Sequence, residues 1–177
     1  ADFAANARRR RDRQRNRKSA IEEGTCDYWA ASLLGTPHVW AWHRRHDERF
    51  PHRRHLGSAK TMHDYDARPA ADPHANGTIW AAALWALRAR LSPVDGPLAV
   101  DLLVLQALLV LGGLPVRRTS FQSGLAALLH ADDVLNAGRH RSTILLTFAE
   151  RGIRPDVLAQ QVLADGQGVA VSARGEP

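Results

Sequence analysis

A single cysteine in 177 residues, Cys26, leaves no second thiol for an intrachain disulfide, so the fold must be held by packing alone. Uninterrupted apolar runs are short. The longest, Leu98 to Leu111, is broken by Asp101 and Gln106 and falls below the roughly 20 residues that cross a bilayer, which excludes a membrane span. No segment alternates apolar and polar residues over a convincing length, and no internal period repeats, so a sheet protein and a solenoid are both set aside. The charged start is not followed by the apolar core of a secretory signal. Aromatic residues are few, at 6%.

Net basic charge is confined to one stretch. The formal net charge is +6, and residues 1–18 hold eight of the 24 basic and two of the 18 acidic residues. That stretch alone accounts for the whole excess, so the rest of the chain is neutral. The basic residues there are Arg8, Arg9, Arg10, Arg11, Arg13, Arg15, Arg17 and Lys18. They form an arm that is either an exposed helix or disordered, since like charges at helical spacing repel. As a phosphate-binding arm it would engage nucleic acid in a salt-dependent way. No aromatic residues interleave the arginines to stack bases, which favours a solvated lead-in over a nucleic-acid partner.

What is present is helical patterning with an apolar fraction of 45%, enough for one core. The expected class is mainly α, with about five to six helices. An Arg-rich arm spans 1–19, a single helical domain 20–164 and a mobile tail 165–177. Gly35-Thr-Pro37 stops the first helix, and residues 38–77 are irregular around Pro51, Gly57, Pro69 and Pro73. Helices are then expected over Thr78–Leu91, ended by Ser92-Pro93, and over Pro97–Leu111 as a buried central helix. Two more follow: Ser120–Leu135, facing Phe121, Leu125, Leu128 and Leu129 inward, and Arg139–Arg151, using Ile144, Leu145 and Phe148. Gly152 serves as the stop of the latter, and Pro155–Leu163 adds a short last helix. Seven histidines lie between His38 and His74, including His43 with His46 and His52 with His55 in His-Arg-Arg-His tetrads. That spacing can chelate a metal, but the flanking arginines repel a dication, and the tetrads read as polar surface.

Chemistry concentrates at Ala20–Leu34. On a helix, Glu23 and Asp27 stand one turn apart on one face, beside the apolar positions Ile21, Tyr28, Trp29, Leu33 and Leu34. Two carboxylates among aromatics need a partner once water is removed, and a cation is such a partner. Cys26 reads as a small buried hydrophobe on the same helix.

The run Glu23-Gly-Thr-Cys-Asp27-Tyr-Trp-Ala-Ala-Ser-Leu33 resembles the Glu-x-x-x-Asp helix of thermolysin-like zinc metallopeptidases, most closely the fungalysin-like branch. The likeness continues through His74-Ala-Asn-Gly-Thr-Ile-Trp80 and Ala83-Leu-Trp-Ala-Leu-Arg88 to Phe148-Ala-Glu-Arg-Gly152. It implies the C-terminal helical lobe of a zinc-dependent endopeptidase, acting on peptide or protein substrates, with relatives that are typically secreted. By that resemblance Glu23 is a zinc ligand and Asp27 orients a ligand histidine. His74 hydrogen-bonds the oxyanion formed when zinc-bound water attacks the peptide carbonyl. Asp72 or Asp66 holds the His74 ring, and Arg53 or Arg54 corresponds to an arginine that assists the same oxyanion.

One family element is missing. No His-Glu-x-x-His occurs, and His46-Asp-Glu-Arg-Phe50 has the wrong order. Counting back from Glu23 places the end of that motif near residue 1. Three accounts follow: the lobe of a longer or split peptidase whose complementary N-terminal lobe carries the motif, a degenerate non-catalytic homologue, or a metal held by other histidines. On any of them one carboxylate does not hold zinc by itself, so this polypeptide is expected to be inactive alone. The alternative class is a non-catalytic helical binding domain with the Arg-rich arm as an anionic-partner site.

Overall fold

A computed structural model of the chain describes residues 2–39, 54–68, 70–113, 119–157 and 161, and the side chains of 2–12 and 14 lie outside that description. The described residues form five α-helices: α1 (Asp2–Leu34), α2 (Pro73–Asp95), α3 (Pro97–Gly112), α4 (Phe121–Asn136) and α5 (Arg141–Ala149). The class is mainly α, as the sequence predicts, and no strand forms among the described residues. Among the described residues no helix is long and apolar enough to cross a membrane. His43, His46, His52, Arg53, most of the predicted last helix and the 165–177 tail fall outside the described residues.

The Arg-rich stretch and the carboxylate stretch are one helix. Residues 2–23 contain neither Gly nor Pro and are rich in Ala, Arg, Gln and Lys, all good helix formers, so nothing interrupts α1 until Gly35 at φ 65. Its buried side is Asn16, Ala20, Ile21, Gly24, Thr25, Asp27, Tyr28 and Ala31. Leu33 and Leu34 are exposed, and Cys26 is exposed rather than buried as expected, because it stands on the face opposite Ala20 and Gly24.

Helix α2 packs along α1 and touches α3 and α5. It starts five residues earlier than predicted, at Pro73, because Asp72 caps it and proline at the first position needs no hydrogen bond. It also runs past Pro93 to Asp95. The proline falls in the last turn, and Gly96, at φ 79, closes the helix with its N–H on the Ser92 carbonyl at 2.9 Å. The extension is held from outside, since Asp95 receives His140 Nε2 at 3.0 Å and Arg139 Nη2 at 2.5 Å. His140 Nδ1 in turn lies 2.9 Å from fully buried Asp132, whose other oxygen accepts the His140 backbone N–H at 3.0 Å. This knot fastens α2, α4 and the start of α5 together.

The core centres on Trp80, stacked on Phe121 (5.7 Å between ring centroids) and tilted against Phe148 (5.1 Å). Its indole N–H donates to Thr25 Oγ1 at 3.1 Å, tying α2 to α1. Gly124 in α4 lies under the indole: a Cβ there would approach Trp80 Cη2 to 2.7 Å and Ile21 Cδ1 to 2.6 Å. Helix α3 departs from the prediction of a buried central helix. Val100, Leu103, Val104 and Ala107 are buried against its neighbours, but Leu98, Leu102, Leu105 and Leu109 face outward. Among the described residues the neighbouring helices cover only one side of it. Asp101, which breaks the apolar run, accepts from Tyr28 (2.7 Å), Ser32 (2.9 Å) and Arg88 (2.6 Å), and so joins α3 to α1 and α2.

Candidate functional site

Two glycines decide where the sequence-predicted residues meet. A Cβ on Gly24 would lie 2.4 Å from the Gly77 carbonyl oxygen, and one on Gly77 would lie 2.7 Å from that of Ala20. Helices α1 and α2 therefore touch backbone to backbone, closer than any larger residue permits. The crossing carries Glu23, beside Gly24, to His74, one turn before Gly77. Glu23 Oε2 stands 3.4 Å from His74 Nδ1, both side chains partly exposed. The pair is close but not aligned as a hydrogen bond, so His74 Nδ1 is a buried nitrogen with no hydrogen-bond partner among the described residues.

Asp27, one turn beyond Glu23, is only 2% exposed. The cation that its burial demands is the Arg54 guanidinium: Nε donates to Oδ2 at 3.0 Å, and Nη2 closes the second arm of the fork on Oδ1. Arg54, one of the two arginines named from the sequence, is thus held at the carboxylate helix. Next door, partial desolvation of the Cys26 sulfur and then the carboxylates of Glu23, Asp27 and Glu22 push the thiol above its ordinary range.

Asp72 and Asp66 take other duties than the His74 ring. Asp72 Oδ1 accepts the backbone N–H of His74 at 2.9 Å as the cap of α2, which fixes the first turn and leaves the imidazole to Glu23. Asp66 is forked by Arg68, with contacts between 2.6 and 3.0 Å, and those bonds bring its carboxyl down to about 2. The segment leading to His74 is held instead by two asparagines. Asn76 Oδ1 accepts the Asp66 N–H at 2.9 Å and its amide donates to the Asp66 carbonyl at 2.8 Å. Asn16 Oδ1 accepts from Asn76 (3.3 Å) and from the Tyr65 hydroxyl (3.2 Å), while its amide reaches the Ala71 carbonyl at 3.2 Å. Neither asparagine was legible as a site residue. The only available signal was a polar residue falling on an otherwise apolar face.

Of the arm, Arg13, Arg15 and Arg17 lie on α1 as exposed residues. Arg17 rims a cavity of about 610 Å³ lined also by Met62, Tyr65, Phe121 and Val157. That cavity includes neither Glu23 nor His74. His38 and His55 pair across an isolated antiparallel bridge with ring centroids 4.2 Å apart.

The donor set bears on what the chain offers a metal ion. A zinc site takes three or four protein ligands, and among the described residues no group of three or more His, Cys, Asp or Glu side chains is arranged to hold a metal ion. Glu23, 3.4 Å from the His74 imidazole, offers one carboxylate toward such a site and does not complete it.

Helix α1, which carries Glu23 and Asp27, thus crosses α2, which carries His74 in its first turn. A family model described as Fungalysin metallopeptidase (M36) matches residues 57–156, which takes in Asp72, His74 and α2 to α5, and the chain belongs to that family. Its members are zinc metallopeptidases. Helix α1, with Glu23 and Asp27, lies before the matched stretch. No curated protein and no solved structure matches the chain.

Proposed function

We propose that this chain is the helical lobe of a zinc-dependent endopeptidase and that it works together with a segment bearing His-Glu-x-x-His. Peptide bonds of protein substrates are the target. When bound, zinc supplies the activated water and a Lewis acid for the carbonyl. This chain's residues hold and complement that chemistry. Glu23 offers a ligand carboxylate. Asp27, its charge balanced by Arg54, keeps lone pairs for orienting a ligand histidine. His74, with its backbone locked by Asp72, donates to the oxyanion, an interaction that grows only as the tetrahedral intermediate forms.

The observation that supports this reading is the 3.4 Å approach of His74 Nδ1 to Glu23 Oε2. Fifty-one positions apart in sequence, the two are brought together by a crossing that tolerates only glycine. The chain by itself is expected to retain little zinc and to leave casein uncut, because the remaining ligands and the general base are contributed from elsewhere. Joined to a His-Glu-x-x-His lobe, it is expected to bind one zinc per chain. Glu23→Gln then loses the metal, while His74→Phe keeps it and lowers kcat by roughly 10²- to 10³-fold. Full zinc retention in Glu23→Gln, measured by elemental analysis, refutes the ligand assignment.

A further inference from the structure

Two independent demands of the fold place an asparagine directly before a glycine near the start of α2. Asn76, 1% exposed, clamps the segment that precedes the helix. Its Oδ1 accepts the Asp66 N–H at 2.9 Å, and its amide nitrogen donates to the Asp66 carbonyl at 2.8 Å and to Asn16 Oδ1 at 3.3 Å. The clamp needs an acceptor and a donor on one short side chain, and a carboxylate offers only acceptors. Gly77 is demanded by the helix crossing, since a Cβ there would lie 2.7 Å from the Ala20 carbonyl oxygen and 2.8 Å from the Gly24 nitrogen. An asparagine followed by glycine is the pair in which the side-chain amide is least shielded from the next backbone nitrogen, because glycine puts no Cβ in its path.

We infer that Asn76-Gly77 is a deamidation site that the folded helix keeps shut and unfolding opens, and that its products cannot rebuild the clamp. The Gly77 nitrogen attacks Asn76 Cγ. Its proton and the Nδ2 amine leave together as ammonia, and a five-membered succinimide remains. Water then splits one of the two imide C–N bonds. Cleavage at the side-chain carbonyl gives aspartate, and cleavage at the main-chain carbonyl gives isoaspartate, whose backbone runs through Cβ. Ring closure requires the Gly77 nitrogen to turn toward Cγ. In α2 that nitrogen is fixed in helical geometry, and the Asn76 amide is tied to Asp66 and Asn16 instead. Reaction therefore proceeds from the open form, at a rate set by how often the start of α2 opens. Either product turns a carboxylate toward the Asp66 carbonyl and Asn16 Oδ1, acceptors that faced amide protons before. Isoaspartate also inserts an extra backbone carbon immediately before the residue that meets Gly24. Prolonged unfolding thus becomes irreversible through one bond. This inference stands independently of the peptidase reading, because it uses no metal, substrate or partner.

Mass spectrometry of the full chain held in mildly alkaline buffer, with and without denaturing urea, tests it. Trypsin releases residues 61–88 as one peptide, since Arg68 precedes proline, and Asn76 is the only side-chain amide within it. Asn76 is expected to convert roughly 100-fold faster in the unfolded chain than in the folded one, whose state circular dichroism confirms. Asn16→Ala, which removes one partner of the amide, should raise the folded-state rate roughly tenfold and leave the rate in urea unchanged. Asn76→Asp carries one product from the outset and should lower the urea midpoint by about 1 M. The fraction of wild-type chain that refolds on dilution should fall in step with conversion. Equal conversion rates in the folded and unfolded wild-type chain overturn the gate, and an intact Asn76 after prolonged unfolding overturns the site. An Asn76→Asp chain as stable as wild type overturns the claim that the product cannot rebuild the clamp.

Discussion

Replacing Gly24 with alanine tests the feature on which the whole site rests. An alanine normally stabilises an interior helical position by about 1 kcal/mol over glycine, so propensity alone predicts a gain. Against it stands a Cβ placed 2.4 Å from the Gly77 carbonyl oxygen and 3.0 Å from its carbon. Both are backbone atoms inside α2 and cannot rotate away. The helices must therefore separate by something near 1 Å along their closest seam, at the upper end of the 1–3 kcal/mol that overpacking costs. The net effect is a loss of about 2 kcal/mol, or roughly 4–8 °C in Tm for a chain of this size. Gly112→Ala is the internal control: a Cβ there meets nothing within 4 Å, so stability should stay level or rise slightly. Urea unfolding followed by far-UV circular dichroism reads both. A Gly24→Ala protein as stable as wild type would refute the backbone-contact crossing, and with it the placement of Glu23 beside His74.

Other outcomes follow from buried charge and hydrogen bonding. Arg54→Met strands the Asp27 carboxylate in a site only 2% exposed and should cost about 3–5 kcal/mol in chemical denaturation, with Arg54→Lys recovering part; a loss below about 1 kcal/mol would contradict the pairing. His140→Ala removes the ring between Asp132 and Asp95 and should cost about 3 kcal/mol, with amide exchange quickening first at the α2 C-terminus and the start of α5. Burial, and then the hydrogen bond to Asp101, hold the Tyr28 hydroxyl well above its ordinary value of 10.0. Its contribution is therefore complete below that pH. It is lost as the pH climbs higher, because the unfolded phenol ionises while the folded one keeps its proton. Tyr28→Phe should flatten the alkaline limb of the stability profile; an identical limb in both proteins would remove Tyr28 as its cause.

Helix identities were legible because each carries a strong local signal. Ser120 caps α4 through its side chain on the Ser123 N–H, and Phe121, Leu125, Leu128 and Leu129 all point inward as their spacing requires. Boundaries were less legible where a long-range contact outweighs local chemistry: Pro93 reads as a stop, but Arg139 and His140 hold Asp95 and the turn continues. The Glu23–Asp27 face was readable from four-residue spacing. The partner of Asp27 was not, since an arginine 27 residues away carries no local mark of its destination.

By itself the sequence determined that this chain is helical, with a single cysteine and no apolar run of bilayer-spanning length, and that its net basic charge comes from residues 1–18. It also supported the expectation, from resemblance, that Glu23, Asp27 and His74 carry the chemistry, because composition, periodicity and motif are properties of neighbours along the chain. Only the tertiary structure decided that Gly24 meets Gly77, that Asp72 serves the backbone rather than the imidazole, and that the leucines of α3 divide into a covered and a bare face. Those outcomes depend on which helices come to lie side by side, and side-by-side packing is settled by the fit of whole surfaces that no short stretch of residues encodes.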